Sequence, residues 1–441
     1  MKVLVVGGGG REHALCWKLR QSPELTELYC APGNPGIAAI ADCPEIAGEE
    51  IHALAEFAAE VGIDLTVVGP ELPLTLGIVD EFERRGLRIF GPRRLAAELE
   101  GSKVFSKEFM RRHGIPTADF EVVTERSEAA KAAARFGFPV VLKADGLAAG
   151  KGVIVAFDAE ELEKALTTFF DDRRFAKASE RIVVEQYLDG EEVSFMALSD
   201  GSRLLPLATA RDHKRLLDGD RGPNTGGMGA VSPSGLLSGD LAGEILERVM
   251  EPAIAGMASE GRTFAGVLYA GLMLTAEGPR VLEFNARFGD PEAQAIFPRL
   301  ESDLLPILAG GAAGNFPVQR LRFRKEAAAV VVLANAGYPD KPTTGELISG
   351  LDRAAEIPGL LVFHAGTARR DGEVIATGGR VLGVAATGPT LAEALKSAYA
   401  GAAVIDWPAK ILRKDIGRKS LEGQYTAGES GFFRLDPPND G

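Results

Sequence analysis

Along the first hundred residues, short β-branched apolar runs alternate with stretches whose apolar positions recur at helical spacing. Residues 2–6 form one such run, and a helical pattern through Ala14, Leu15, Trp17 and Leu19 follows it. Further runs at 27–33, 64–68 and 87–90 read as strands, each ending in a turn. Strand and helix in alternation predict a parallel α/β sheet. Ligand loops then belong at the carboxyl ends of its strands, where residues 7–11, 32–36 and 69–74 fall.

The pattern changes after Gly101. Ser102 is placed to cap a helix running through Phe105 and Phe109 to His113. Strands at 139–144, 153–157 and 181–187, with helices over 127–136 and 159–170, predict a small α+β unit. From Lys325 a new unit is expected, with strands at 327–333 and 381–385, a hairpin turn at 370–373 and a helix over 391–404. No internal repeat is evident. The expected division is 1–101, 102–315 with a smaller unit at about 122–190, 325–425, and a disordered Gly- and Pro-rich tail over 426–441.

The charge balance, 49 − 62 = −13, is a poor fit to general nucleic-acid binding, which wants a basic footprint. Cys16, Cys30 and Cys43 have neither metal-like spacing nor the look of a disulfide framework. The start enters glycines too soon for a signal peptide, and no apolar run reaches transmembrane length. A reduced, cytoplasmic protein without a membrane partner is expected.

Candidate chemistry concentrates in a few stretches. Residues 143–153 place Lys143 and Lys151 around a Gly/Ala loop containing Gly146, Gly150 and Gly152, between two apolar runs. Small residues leave backbone N–H groups free to approach an anion, so this reads as a phosphate-gripping flap; a ligand-free hairpin is the plainer alternative. It is not a Walker loop, because Gly152 stands where Ser or Thr is required. The loop of Gly7 to Gly10 and Arg11 would place an anion at a helix N-terminus. A dinucleotide fold is the rival there, although Glu12 replaces the third glycine of its fingerprint and no acid ends the second strand.

Glu283, Asn285 and Arg287 alternate along an expected strand and so share a face. Two oxygen ligands suit a hard cation, and the arginine beside them could offset phosphoryl charge; a half-solvated structural strand is the alternative. Residues 211–215 and 222–229 are polar loops, open to reading as plain surface. Residues 181–188 read as core or as a strand whose backbone meets a purine.

Together these segments resemble the ATP-grasp superfamily, and within it the phosphoribosylamine–glycine ligase family. The flap and the acid–Asn–Arg strand give the superfamily; the four-glycine start, Asp212-His213-Lys214-Arg215 and residues 222–229 point to the family. The resemblance implies an N-terminal α/β domain, an ATP-grasp core with a mobile lid and a small C-terminal α+β domain. It implies ligation of glycine to 5-phosphoribosylamine with ATP as co-substrate and Mg²⁺ or Mn²⁺ as cofactor, in a monomer or weak homodimer. Lys103, Lys143, Gly150, Lys151, Gly152, Glu185, Leu188 and Glu192 would hold ATP, and Glu283 and Asn285 the metal. Gly9, Gly10, Arg11, Gly33, Asn34 and Glu71 would serve the phosphoribosyl substrate. Asp212, His213, Lys214, Asn224, Thr225, Gly226, Gly227, Arg287, Gly289 and Asp290 would complete substrate binding, with Arg287, Lys143 and Asp212 catalytic. Asp212 is the candidate partner of the glycine ammonium. The strand before Glu283 carries no acid over 269–275, unlike many relatives, which thins the metal shell. A carboxylase of the same superfamily and a nucleotide-sensing binding protein are the competing readings.

Overall fold

The structure, a computed structural model, describes residues 1–147, 152–172 and 180–422. Gly150, Lys151 and the expected tail lie outside them. The chain opens with four parallel strands in the spatial order Glu27–Pro32, Lys2–Gly7, Leu65–Val68, Ile89–Phe90. Val3, Leu4, Val5 and Val6 have no exposed surface, as expected of a parallel strand covered on both faces. Gly7, at φ +122°, turns the chain into the helix Gly10–Leu19.

Ser102 then caps the helix Lys103–Arg112, its hydroxyl accepting from the Phe105 N–H at 3.0 Å. A small antiparallel sheet follows, ordered Phe120–Val123, Ile182–Gln186, Val140–Ala144, Val153–Ala156. This sheet has its own core, in which Leu142, Val184 and Phe169 pack under the helices Arg126–Phe136 and Ala159–Leu166. A second antiparallel sheet carries Leu204–Pro206, Glu191–Asp200, Ala265–Thr275 and Gly278–Asn285 in that order.

The last of these strands departs from the expected alternation. Gly271 pairs with Glu283 and Leu272 with Val281, so Leu282 is an extra residue, a β-bulge. The strand also ends at Asn285, which puts Arg287 beyond the ladder. A hydrogen bond from Arg287 Nη2 to Asn285 Oδ1, at 3.4 Å, nevertheless brings it back to the same side.

The last sheet is assembled from distant segments. Arg211–Asp212 and Gly229–Ser232 join Ala327–Asn335, Arg380–Gly388 and Leu360–His364, all antiparallel. The helix Leu391–Val404 covers it, started by a Thr390/Glu393 capping box. The two polar loops of the sequence are therefore one hairpin, Arg215–Leu217 against Arg221–Asn224, rooted in this sheet.

Where the helix Gly10–Leu19 meets the last sheet, the His364 N–H donates to His13 Nδ1 at 2.8 Å. Gly36 is small because these rings fill its side-chain space: a Cβ there would lie 2.4 Å from His13 and 2.6 Å from His364. Burial, and then the neighbouring His364, lower the His13 pKa to about 3. Burial, and then Arg369, lower that of His364 to about 4. Each histidine binds its proton more weakly folded than unfolded, so the unfolded state takes up more protons between about pH 4 and 6.5. Stability should be full above pH 6.5 and be lost as pH falls through this window. In thermal melts, His13→Gln should flatten the slope of Tm against pH between 6.5 and 4.5; an unchanged slope would count against the coupling.

Candidate active site

A cleft of about 950 Å³ lies between the sheets. Its walls bring together most of the singled-out residues from segments far apart in sequence. Lys103, Lys143, Gly152, Glu185, Leu188 and Glu192 line it, as do Glu283, Asn285 and Arg287. Arg11, Glu71, Asp212, His213, Lys214, Asn224, Thr225, Gly226 and Asp290 complete that set.

On the small-sheet side two lysines share one carboxylate. Lys143 Nζ pairs with Glu185 and donates to the carbonyl of the bulged Leu282 at 3.0 Å. Lys107, which sequence reading passed over, lies 2.5 Å from the other oxygen of Glu185. Burial lowers the Lys107 pKa to about 8, against the attraction of Glu185. Burial alone would raise the Glu185 pKa, but the two lysines more than offset it and lower it. Lys103 reaches the carbonyl of Gly146 at 3.3 Å. Asp145 on the same loop accepts from the Ser102 hydroxyl at 2.8 Å and from the Val104 N–H at 3.2 Å.

Arg287 is held by acids from the first domain. Its Nη2 lies 3.1 Å from Glu100 and its Nε 3.3 Å from Glu71. Glu100 also takes the Ala286 N–H at 2.6 Å, which ties the end of the strand to the helix Arg94–Gly101. Burial works against the charge on Arg287, yet Glu100 and Glu71 raise its pKa above the ordinary arginine value. The guanidinium is thus a fixed, permanent cation aimed at the cleft.

The opposite wall is acidic. Burial pushes the Asp212 carboxyl well above its usual range; Glu292 and Glu192 add to this, and Lys214 only partly offsets it. Lys214 itself is paired with Glu192. Glu292 accepts from the Tyr269 hydroxyl at 2.6 Å and the Ser194 hydroxyl at 3.0 Å. His213 is tied by both ring nitrogens: Nε2 accepts from the Gly417 N–H at 3.0 Å and Nδ1 faces the Gly229 carbonyl at 3.3 Å. Burial, and then Arg413, lower its pKa to about 4, so the ring is neutral. Thr225 locks the hairpin end, its hydroxyl donating to the Lys214 carbonyl at 2.8 Å and accepting from the Gly227 N–H at 3.0 Å.

Other expected residues stand back from the cleft. Asn34 spends its side chain on the Gly8 and His364 carbonyls and on the Gly36 and Ile37 N–H groups. Gly33 gives its N–H to the Gly7 carbonyl. The Gly9 N–H donates 2.6 Å to Glu12, whose carboxylate also fills the side-chain space of Gly7 and Gly69. Gly10 faces Gln294, Gly227 packs against Pro291, and the Gly289 N–H points to Met196 sulfur. Sequence reading also passed over Glu100, Tyr269, Glu292 and Arg380. Each is a common residue in an unremarkable local pattern, and only tertiary pairing marks it.

The donor set fits a Mg²⁺ or Mn²⁺ ion in part. Glu283 and Asn285 offer hard oxygen ligands on one wall of the cleft. Burial opposes the Glu283 charge, but Lys214, Lys103 and Lys143 overcome it and keep it a carboxylate. Among the described residues no group of three or more His, Cys, Asp or Glu side chains could hold a metal. Phosphate oxygens and water therefore have to complete the shell, as Mg²⁺ sites commonly allow.

Two four-stranded antiparallel sheets with lysines and an acid–Asn pair in the cleft they line form the architecture of an ATP-grasp ligase. Family models of phosphoribosylglycinamide synthetase match in sequence: the N domain at residues 1–100, the ATP-grasp (A) domain at 101–293 and the C domain at 328–419. Phosphoribosylamine–glycine ligase of Brucella melitensis is 47% identical over 96% of this chain and 99% of its own. That of Escherichia coli K12 is 49% identical, also over 96% and 99%. The crystal structure of the Thermotoga maritima phosphoribosylamine–glycine ligase superposes with a TM-score of 0.82 at 34% identity, covering 94% of this chain and all of that one. The biotin carboxylase domain of Hydrogenobacter thermophilus 2-oxoglutarate carboxylase shares the fold, with a TM-score of 0.71 at 18% identity over 93% and 91%. The chain belongs to the phosphoribosylglycinamide synthetase family.

If the acid–Asn pair and Arg287 act on phosphate, Glu283→Ala should abolish most turnover and raise the Mg²⁺ requirement with the fold intact. Arg287→Ala should lower kcat by on the order of 10²–10³. Steady-state kinetics across a Mg²⁺ series test both; near-normal rates in both folded variants would make the strand structural.

Proposed function

We infer that this chain joins glycine to 5-phospho-D-ribosylamine at the expense of ATP, giving N1-(5-phospho-D-ribosyl)glycinamide, ADP and phosphate, a step of purine biosynthesis. Membership of the family carries this reading, and the cleft has the groups the chemistry needs. A free carboxylate is a poor electrophile. The glycine carboxylate therefore attacks the γ-phosphoryl of ATP, forming glycyl phosphate and releasing ADP. The amine of the second substrate then attacks the acyl carbon, its proton is lost and phosphate leaves.

Lys103 and Lys143 neutralise the ATP phosphates, the Glu185–Leu188 backbone receives adenine and Glu192 the ribose. Arg287 offsets charge on the transferring group. A bound Mg²⁺ or Mn²⁺ at Glu283 and Asn285 supplies further charge neutralisation to the phosphates. Arg11 and Glu71, both on the cleft wall, serve the phosphoribosyl end. Asp212, whose buried carboxyl lacks a full countercharge, holds the glycine ammonium, beside the loop of Asn224, Thr225, Gly226 and Gly227. Residues 1–101, 102–315 and 325–425 act as substrate domain, ATP-grasp region and C-terminal domain, and the part near 122–190 as the lid.

The protein works in the cytoplasm as a monomer or weak homodimer, without nucleic acid or membrane. The net charge of −13 supports this in part. Among the described residues no helix is long and apolar enough to cross a membrane.

ADP release, measured with substrates omitted one at a time, tests the reaction. It should require ATP, glycine and phosphoribosylamine together; dependence on bicarbonate instead would favour a carboxylase. Asp212→Asn should weaken glycine use and leave ATP affinity little changed. A variant that lost ATP binding but kept its glycine KM would move the amino-acid site elsewhere.

A further inference from the structure

The strand Arg380–Gly388 of the last sheet begins with an arginine on the wall of the cleft. Its guanidinium gathers acceptors from two separate segments. Nη1 donates to the Gly226 carbonyl at 2.7 Å and to the Asp290 carbonyl at 2.6 Å, with the Gly227 carbonyl at 3.5 Å. Nη2 meets the Asp290 carboxylate at 2.9 Å. The carboxylate carries a full negative charge and the carbonyl oxygens partial ones, and they would repel one another without the cation between them.

The packing around them is close. A Cβ on Gly226 would lie 3.0 Å from the Arg380 guanidinium carbon, and one on Gly227 would lie 2.4 Å from Pro291. Gly227 also has φ +112°, which favours glycine. Tyr338, next to Arg380 in the cleft wall, accepts the Gly226 N–H at 2.9 Å. The hairpin end and the Asp290 turn are thus seated on one another by a single side chain from a third segment.

We propose that Arg380 is the positioning residue that fixes the Gly226–Gly227 loop against the Asp290 turn, and so sets the amino-acid pocket of the reaction inferred above. The planar fork of arginine can serve divergent acceptors at once, whereas an ammonium is a point charge. A rigid loop excludes a larger amino acid by clash, and a loosened one does not.

The test uses the full-length enzyme and compares kcat/KM for glycine and for alanine, together with KM for ATP. Arg380→Lys should cut kcat/KM for glycine by at least about ten-fold, mainly through KM, since misplacement by 1 Å can cost on the order of 10²-fold. The glycine-over-alanine ratio should fall with it. The ATP KM should stay within about two-fold, as expected when only the amino-acid end is disturbed. A folded variant with an unchanged glycine KM and ratio would overturn the proposal, as would equal rises in the glycine and ATP KM values. Tyr338→Phe removes one hydroxyl and should shift the ratio in the same direction by less; should Arg380→Lys fail to fold, an unchanged ratio in Tyr338→Phe overturns the proposal. Wild-type ADP release without glycine dependence would instead sink the reading of the reaction itself.

Discussion

Lys103, Lys107, Lys143 and Arg287 all face one cleft, and their mutual repulsion in a partly desolvated space is the constraint the rest of the site answers. A phosphate-handling site needs such cations gathered before its ligand arrives, because charges already in place need no reorganisation during the reaction. Acids set between them make the gathering possible. Glu185 takes Lys107 and Lys143, while Glu100 and Glu71 take Arg287. These acids come from a different segment than most of the cations they serve, so the ion pairs also stitch the units together. Breaking such a buried pair leaves an uncompensated charge, which costs far more than losing a surface pair.

The same logic explains the first domain. Its glycine turn looks made for an anion, and an anion is there: the carboxylate of Glu12, held by the Gly9 N–H and by Arg11. Gly7 and Gly69 are glycines in part because Glu12 fills the space their side chains would take. The turn is therefore fitted to an internal acid at its inner face. Arg11, facing the cleft, remains to serve an external anion.

The elements built from local pattern were readable in sequence, and those set by distant pairing were not. The buried run over Val3, Leu4, Val5 and Val6, the Ser102 cap and the apolar runs flanking the flap each follow from near neighbours, and each is found. The bulge at Leu282 has no local signature, so the face shared by Glu283 and Asn285 was right while the continuation of the strand to Arg287 was not. Asn34, assigned to the substrate by resemblance alone, bonds a short turn and the His364 carbonyl, contacts that no local pattern announces. Glu100 and Lys107 sit on helices where charged residues are ordinarily solvated, and only the fold buries them.

The C-terminal segment is the clearest case of sequence order misleading about space. Gly229–Ser232 pairs along its length with Ala327–Asn335, so the hairpin bearing Lys214 and Asn224 is an extension of the last sheet. His213 reinforces this by taking the Gly417 N–H, nearly at the end of the described chain. A segment removed at the apparent boundary near residue 325 would leave an unpaired edge strand beside the acidic wall of the cleft, with backbone donors and acceptors exposed. The C-terminal unit is therefore part of the site's wall. Its antiparallel ladder holds the hairpin, and the hairpin presents its polar end to the cleft where the cations from the other units converge.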